Sequence, residues 1–164
     1  MTETYSLTVS IARQRLTVYR ADQQPVREHP VSTAANGVGE QFGSGCTPRG
    51  LHVVRAKVGA GCASGTVFVG RRPTGEIHSP ALARLQPQRD WILTRILWLG
   101  GCEPGLNRFG KVDTLRRFIY IHGSPDDVPI GVPASHGCIR MRNTDVIALF
   151  DQVCVGTPVR IEAA

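Results

Sequence analysis

Nothing in this sequence is apolar for long enough to cross a bilayer as a helix. The N-terminal "MTETYSLTVSIARQRL" also lacks a basic region followed by a continuous apolar one. No membrane segment or export signal is therefore expected, and the chain reads as soluble and cytoplasmic. Paired CxxC spacing is missing as well. The five cysteines, Cys46, Cys62, Cys102, Cys138 and Cys154, are odd in number and irregularly spaced, which makes a poor disulfide framework and offers no structural zinc pattern. A reducing compartment fits that usage. Aromatic residues amount to only 6% of 164, and the basic excess (19 Lys and Arg against 13 Asp and Glu, net +6) is scattered over Arg13, Arg15, Arg20, Arg71, Arg72, Arg116 and Arg117. Without clustering or aromatic interleaving, no nucleic-acid surface is expected. The charge instead favours encounter with anionic partners such as carboxylate-bearing polymers. Internal repeats and low-complexity tracts are absent too. A hydrophobic content of 41% over this length suits one ordinary core, hence a single domain over 1–164.

What is present is mostly strand patterning. "YSLTVSI" sets Leu7, Val9 and Ile11 on one face and "RLTVYR" does the same for Leu16 and Val18, the period of two expected of half-buried strands. Short connections to "VREHPVSTA" complete an N-terminal meander. "NGVGEQFGSGC" is too rich in glycine for regular structure. "TPRGLHVVRAKVG" and "GTVFVG" read as further strands, "DWILTRILWLGG" as a central strand, "LRRFIYIHG" as a strand ending at His122, and "TPVRIE" as the last. Two helices are expected. A short one opens at "SPALARLQPQ" with Ser79 as N-cap and Pro80 in the first turn. The clearer one begins at Asn143 or Thr144, carries Val146, Ile147, Leu149, Phe150 and Val153 at helical spacing, and stops at Gly156 and Pro158. The fold class is mainly β.

Chemistry concentrates in "VPASHGCIRMRN". Cys138 could be a nucleophile, a metal ligand or a small buried hydrophobe, the role assigned here to Cys154. Its setting among Gly, Ser and Arg disfavours the last. Gly137 lets the backbone approach a substrate carbonyl with N–H groups converging on one pocket, and the helix beginning near Asn143 could lower the thiol pKa. Two histidines compete as base: His136, two positions away, and His122, which a strand end would hold rigidly beside Gly123. Zinc on His122, His136 and Cys138 would want a fourth ligand, and none is evident. Cys46, Cys62 and Cys102, in or beside glycine-rich loops, read as incidental thiols.

The composite "YIHGSPDDVPIGVPASHGCIRMRN" resembles the signature of the L,D-transpeptidase catalytic domain family, also called YkuD. His122-Gly123 opens the pattern and Ser135-His136-Gly137-Cys138-Ile139-Arg140 closes it, with "TPRG" at 47–50 extending the likeness upstream. The resemblance implies a β-sandwich or barrel-like domain with one helix toward the C-terminus and a short second one. It implies Cys138 as nucleophile, His122 as base and the Gly123 carbonyl as orienter of the imidazole. Ser135 and His136 would shape the pocket, Gly137 and Cys138 would supply oxyanion-hole N–H groups, and Arg140 would brace the loop or meet a substrate carboxylate. Arg95 and Arg108 are further candidates for binding substrate carboxylates. No cofactor or metal is implied. The implied partners are peptidoglycan stem peptides or muropeptides. Attack at the third residue of a tetrapeptide stem would expel the terminal D-alanine and leave a thioester. An amine acceptor then makes the enzyme a transpeptidase; water makes it an L,D-carboxypeptidase, which suits a leaderless chain acting on recycled muropeptides. A non-catalytic muropeptide-binding or thiol-redox module is the reading from another class.

Overall fold

The computed structural model describes residues 3–164. Its backbone is one curled sheet with two helices. Strands β1 (Tyr5–Ser10), β2 (Arg15–Arg20) and β3 (Pro25–Pro30) form the expected antiparallel meander. The final strand β10 (Pro158–Glu162) then lies parallel to β1 and antiparallel to β4 (Gly50–Val58). Leu7, Val9, Leu16, Val18, Val159 and Ile161 are all fully or almost fully buried, as their alternation requires. They join Val54, Leu97, Leu99, Ile121, Ile139 and the apolar face of the long helix in one core.

Central to the sheet is β7 (Ile92–Gly101), where the sheet branches. Its C-terminal half pairs with β4, its first residues pair with β5 (Thr66–Val69), and Leu93 to Trp98 pair with β8 (Tyr120–Gly123). Strand β8 in turn takes β9 (Ile139–Met141) in parallel register. Helix α1 (Pro80–Leu85) starts as expected, with Ser79 Oγ accepting from Leu82 N at 3.1 Å. Helix α2 (Asn143–Gln152) carries Val146, Leu149 and Phe150 inward. Lys57 Nζ donates to the carbonyls of Phe150 (2.6 Å) and Val153 (2.7 Å), a cation at the negative end of α2 that ties it to β4.

Several expectations need correction. The N-cap of α2 is Arg142, because the Asn143 side chain is engaged elsewhere, between Thr94 Oγ1 and Asp126 Oδ1. "LRRFIYIHG" is extended only from Tyr120. Asp113 Oδ1 accepts from Arg116 N and Phe118 takes a positive φ, so the chain turns before it extends. Two strands escape the pattern. β6 (Arg72–Ile77) is largely exposed and contains Pro and Gly, and β9 is three residues long. Cys154 is exposed, with Sγ 3.6 Å from Thr157 Oγ1, because the helix ends before its side chain can turn inward.

His52 marks the price of a polar group in this core. Nδ1 donates to Gly50 O at 3.0 Å and Nε2 accepts from Thr114 Oγ1 at 2.9 Å, which only the neutral ring satisfies, and burial lowers its pKa from 6.5 to about 4. Between those values the unfolded chain binds more protons than the folded one, so stability is lost as the pH drops through that window. Urea unfolding should lose on the order of 3 kcal/mol between pH 7 and pH 4 through this ring. A His52→Gln variant with the wild-type pH slope would overturn that assignment.

Candidate active site

Parallel pairing sets Ile121 opposite Ile139 and His122 opposite Arg140. Cys138, one residue before β9, therefore falls opposite Tyr120. Since side chains alternate along a strand, Ile121 and Ile139 point together into the core while Tyr120, His122, Cys138 and Arg140 share the other face. These four line a cavity of about 380 Å³, together with Arg71, Asp90, Arg117, Ser135 and His136.

His122 is 1% exposed, and its Nδ1 lies 2.6 Å from the Gly123 carbonyl. A carbonyl only accepts, so Nδ1 carries the proton and the lone pair sits on Nε2. Burial lowers the imidazole pKa below its ordinary 6.5. Position 123 has to be glycine. A Cβ there would collide with Asn143 Oδ1 and stand 2.7 Å from the Leu93 carbonyl, so β7 and α2 together fix the backbone beside His122.

Cys138 Sγ accepts from Tyr120 N at 3.3 Å and donates to Phe118 O at 3.4 Å. Its surroundings push the thiol up to about 12, with burial the largest cause and the Asp90 carboxylate adding to it, against relief from the Tyr120 N–H, Arg140 and Arg117. Because the residue is only partly buried and opens on the cavity, entering water tempers that rise. The direction is the reverse of the depression that a helix terminus would give. Helix α2 instead brings its first residue, Asn143, against Gly123. Burial thus favours the neutral form of both the thiol and the imidazole that line this cavity.

The loop before Cys138 is held from below. Ser135 Oγ donates to the Cys138 carbonyl and accepts from Gly137 N at 3.1 Å. The Gly137 N–H is thus engaged and does not face a substrate oxygen as expected, whereas the Cys138 N–H donates to no protein group among the described residues. Gly137 itself has φ +135 with the Cys46 carbonyl 3.2 Å from where a Cβ would stand. Thr47 Oγ1, fully buried, donates to Gly137 O at 2.9 Å and accepts from Ala34 N at 3.0 Å, which links "TPRG" to the cysteine loop.

Of the candidate arginines, Arg140 braces. Its Nη2 lies 3.2 Å from Asp90 Oδ1 and its Nη1 donates to Ala134 O at 3.4 Å. The exposed His136 has Nδ1 3.6 Å from the other Asp90 oxygen. Arg95 does not line the cavity: it is buried, donates to the Cys62 and Thr94 carbonyls at 2.8 and 2.7 Å, and stacks on Phe150. Arg108 also lies outside it, over the Phe109 ring beside a different depression. Sequence reasoning missed Asp90, Tyr120, Thr47 and the position of Arg71. Only Thr47, inside "TPRG", carried a signal. Among the described residues no three His, Cys, Asp or Glu side chains gather as a metal ion would need. None of the helices is long and apolar enough to cross a membrane.

Known proteins resemble this chain in sequence and in fold. The chain is 28% identical over 155 residues to the probable L,D-transpeptidase YcfS of Escherichia coli K12, covering 94% of the chain and 43% of that protein. The probable L,D-transpeptidase ErfK/SrfK of the same organism is 51% identical over 45 residues, 27% of the chain and 14% of that protein. The chain thus spans less than half the length of these curated relatives. Among solved structures, an L,D-transpeptidase from Mycobacterium smegmatis superposes with a TM-score of 0.62 at 21% identity, over 98% of this chain and 59% of the other. That likeness is one of fold. The sequence profile of the L,D-transpeptidase catalytic domain, YkuD, matches residues 4–161. The chain belongs to the YkuD family of L,D-transpeptidase catalytic domains.

Proposed function

We propose that this domain is a cysteine acyl-transfer enzyme acting on the diaminopimelate–D-alanine bond of peptidoglycan stem tetrapeptides, with L,D-transpeptidase chemistry. The observation that carries it is one cavity lined by a thiol and an imidazole whose Nδ1 is committed to a backbone carbonyl, leaving Nε2 as base. Attack forms the Sγ–carbon bond while the thiol proton passes to His122 Nε2. The carbonyl oxygen gathers charge beside the Cys138 N–H. Collapse of that intermediate breaks the carbon–nitrogen bond, and the proton on His122 goes to the departing D-alanine amine. A thioester remains.

Two features support an amine as the second nucleophile. A further cavity of about 360 Å³ adjoins the first across Asp90, His136 and Arg140, so a second chain has room to reach the same carbon. Its lining includes Asp127, whose carboxylate makes no hydrogen bond or ion pair with the described residues and suits an approaching ammonium group.

Incubation with a tetrapeptide stem should release D-alanine and, when an amine-bearing second stem is added, yield a cross-linked dimer by mass spectrometry. Tripeptide alone would assign an L,D-carboxypeptidase instead. A Cys138→Ala variant should lose at least a thousandfold in rate, and undiminished D-alanine release from it would sink the reading.

The charge state of the pair sets the pH behaviour. Since His122 has to be neutral to take the proton, and burial holds its pKa below 6.5, the acid limb of kcat/KM should lie below that value. Because burial raises the thiol, iodoacetamide labelling of Cys138 in the free protein should keep accelerating from pH 7 to pH 10. A labelling rate already on a plateau at pH 7 would mean a preformed thiolate and would contradict the neutral pair.

A further inference from the structure

Three cations line the cysteine cavity, and two of them are committed. Arg140 is paired with Asp90. Arg117 donates to Gly39 O, Ser44 Oγ and Cys46 O. Arg71 differs from both. Its one protein hydrogen bond runs from Nη1 to the neutral Tyr120 hydroxyl at 3.0 Å, and no carboxylate among the described residues lies within ion-pair distance. Nε and Nη2 therefore keep their donors for something else. The guanidinium is nonetheless held in place, 4.6 Å from the Trp98 ring centroid and 4.9 Å from that of Phe118. Stacking of this kind fixes the plane of the fork and lowers the entropy lost when it takes a bidentate anion.

Its backbone position is unusual. Gly70 and Arg71 form the two-residue turn between β5 and β6, and both have positive φ, +55 and +64. Such turns favour Asn-Gly or Gly-Gly, and a long side chain in the left-handed region is uncommon. Here it folds back from the turn to the cavity. Its contact Tyr120 is also the residue whose N–H holds Cys138 Sγ, so the cation is placed relative to the sulfur through a single residue.

We propose that Arg71 is the carboxylate anchor of this cavity, selecting substrates whose leaving amino acid ends in a free α-carboxylate. That carboxylate lies only three bonds from the attacked carbonyl carbon, so its partner has to line the same cavity as the thiol, as Arg71 does. The inference rests on the acyl-transfer reading for the identity of the leaving group. It assigns to a residue outside the sequence motif the discrimination between an acid and its amide.

The test compares a tetrapeptide stem bearing a C-terminal carboxylate with its C-terminal carboxamide, by calorimetric titration of the full chain. In a Cys138→Ala background, where no turnover intervenes, the acid should bind roughly tenfold to a hundredfold more tightly than the amide, as a charge-assisted bidentate pair would give. Adding Arg71→Ala should abolish the difference and leave the amide affinity within about twofold. Arg71→Lys should retain part of the preference, and Arg71→Gln, which keeps length without charge, should retain none. If Arg71→Ala proves unstable, the Lys and Gln variants decide. Equal loss for acid and amide would assign Arg71 to packing the Trp98 stack alone and overturn the proposal. An undiminished preference in the Gln variant, or no preference with Arg71 intact, would overturn it as well. Preferential binding through Arg71 without D-alanine release by the wild-type chain would leave this proposal standing and overturn acyl transfer.

Discussion

Parallel pairing of β8 with β9 decides which way Tyr120, His122, Cys138 and Arg140 point. With Ile121 against Ile139 and His122 against Arg140, the apolar members of both strands enter the core and the polar members face the cavity. A slip of one residue would reverse this, turning Cys138 and His122 away from the cavity into the core and two isoleucines toward the cavity. Two fully buried aliphatic side chains therefore hold the chemistry in register. Parallel neighbours also need a long connection. The Pro- and Gly-punctuated loop from Ser124 to Gly137 supplies it, tied by Ser124 Oγ to Met141 O and by Ser135 to the backbone on either side of Cys138.

The same burial that fixes the geometry opposes charge. Raising the thiol from 9 to about 12 corresponds to on the order of 4 kcal/mol against ionisation, less where cavity water reaches the sulfur. His122 is pushed toward its neutral form by the same cause. Under the proposed function both partners would stay neutral until a carbonyl is present to accept the electron pair. The Tyr120 N–H, Arg117 and Arg140 oppose the rise at the thiol, as charge developing on the sulfur during such an attack would need.

Much of this was readable from the chain. Alternation located β1 and β2 because each has one face against the core, the long apolar run of β7 marked a strand buried on both faces, and Ser79 and Pro80 marked α1 because capping is local. The cysteine segment was legible because its residue types are contiguous. Strands β6 and β9 were not, since an exposed edge strand and a three-residue strand have no periodicity to reveal. Arginine roles were the least legible. Arg95 and Arg108 are indistinguishable in sequence from Arg71, yet one is buried among carbonyls, one covers a phenylalanine and one enters the cavity. Which of these happens depends on β5, β6 and β7 coming together, and no local pattern encodes it. Asp90 was hidden for the same reason, since its partner Arg140 lies 50 residues away in the chain and His136 nearly as far.

Asp90 shows how the two halves of the cleft constrain each other. Its two oxygens take Arg140 from β9 and His136 from the loop before it, so the segment after α1 is drawn against the segment that carries Cys138. The cost is a carboxylate that raises the thiol further. Pairing it with the Arg140 guanidinium limits that cost while keeping a polar wall between the two cavities. Arg71, lining the same cavity, has no such carboxylate among the described residues. The cleft thus carries compensated charge at the wall where two cavities meet and an unpaired guanidinium at Arg71, an asymmetry that would orient a peptide with a free carboxylate under the proposed function.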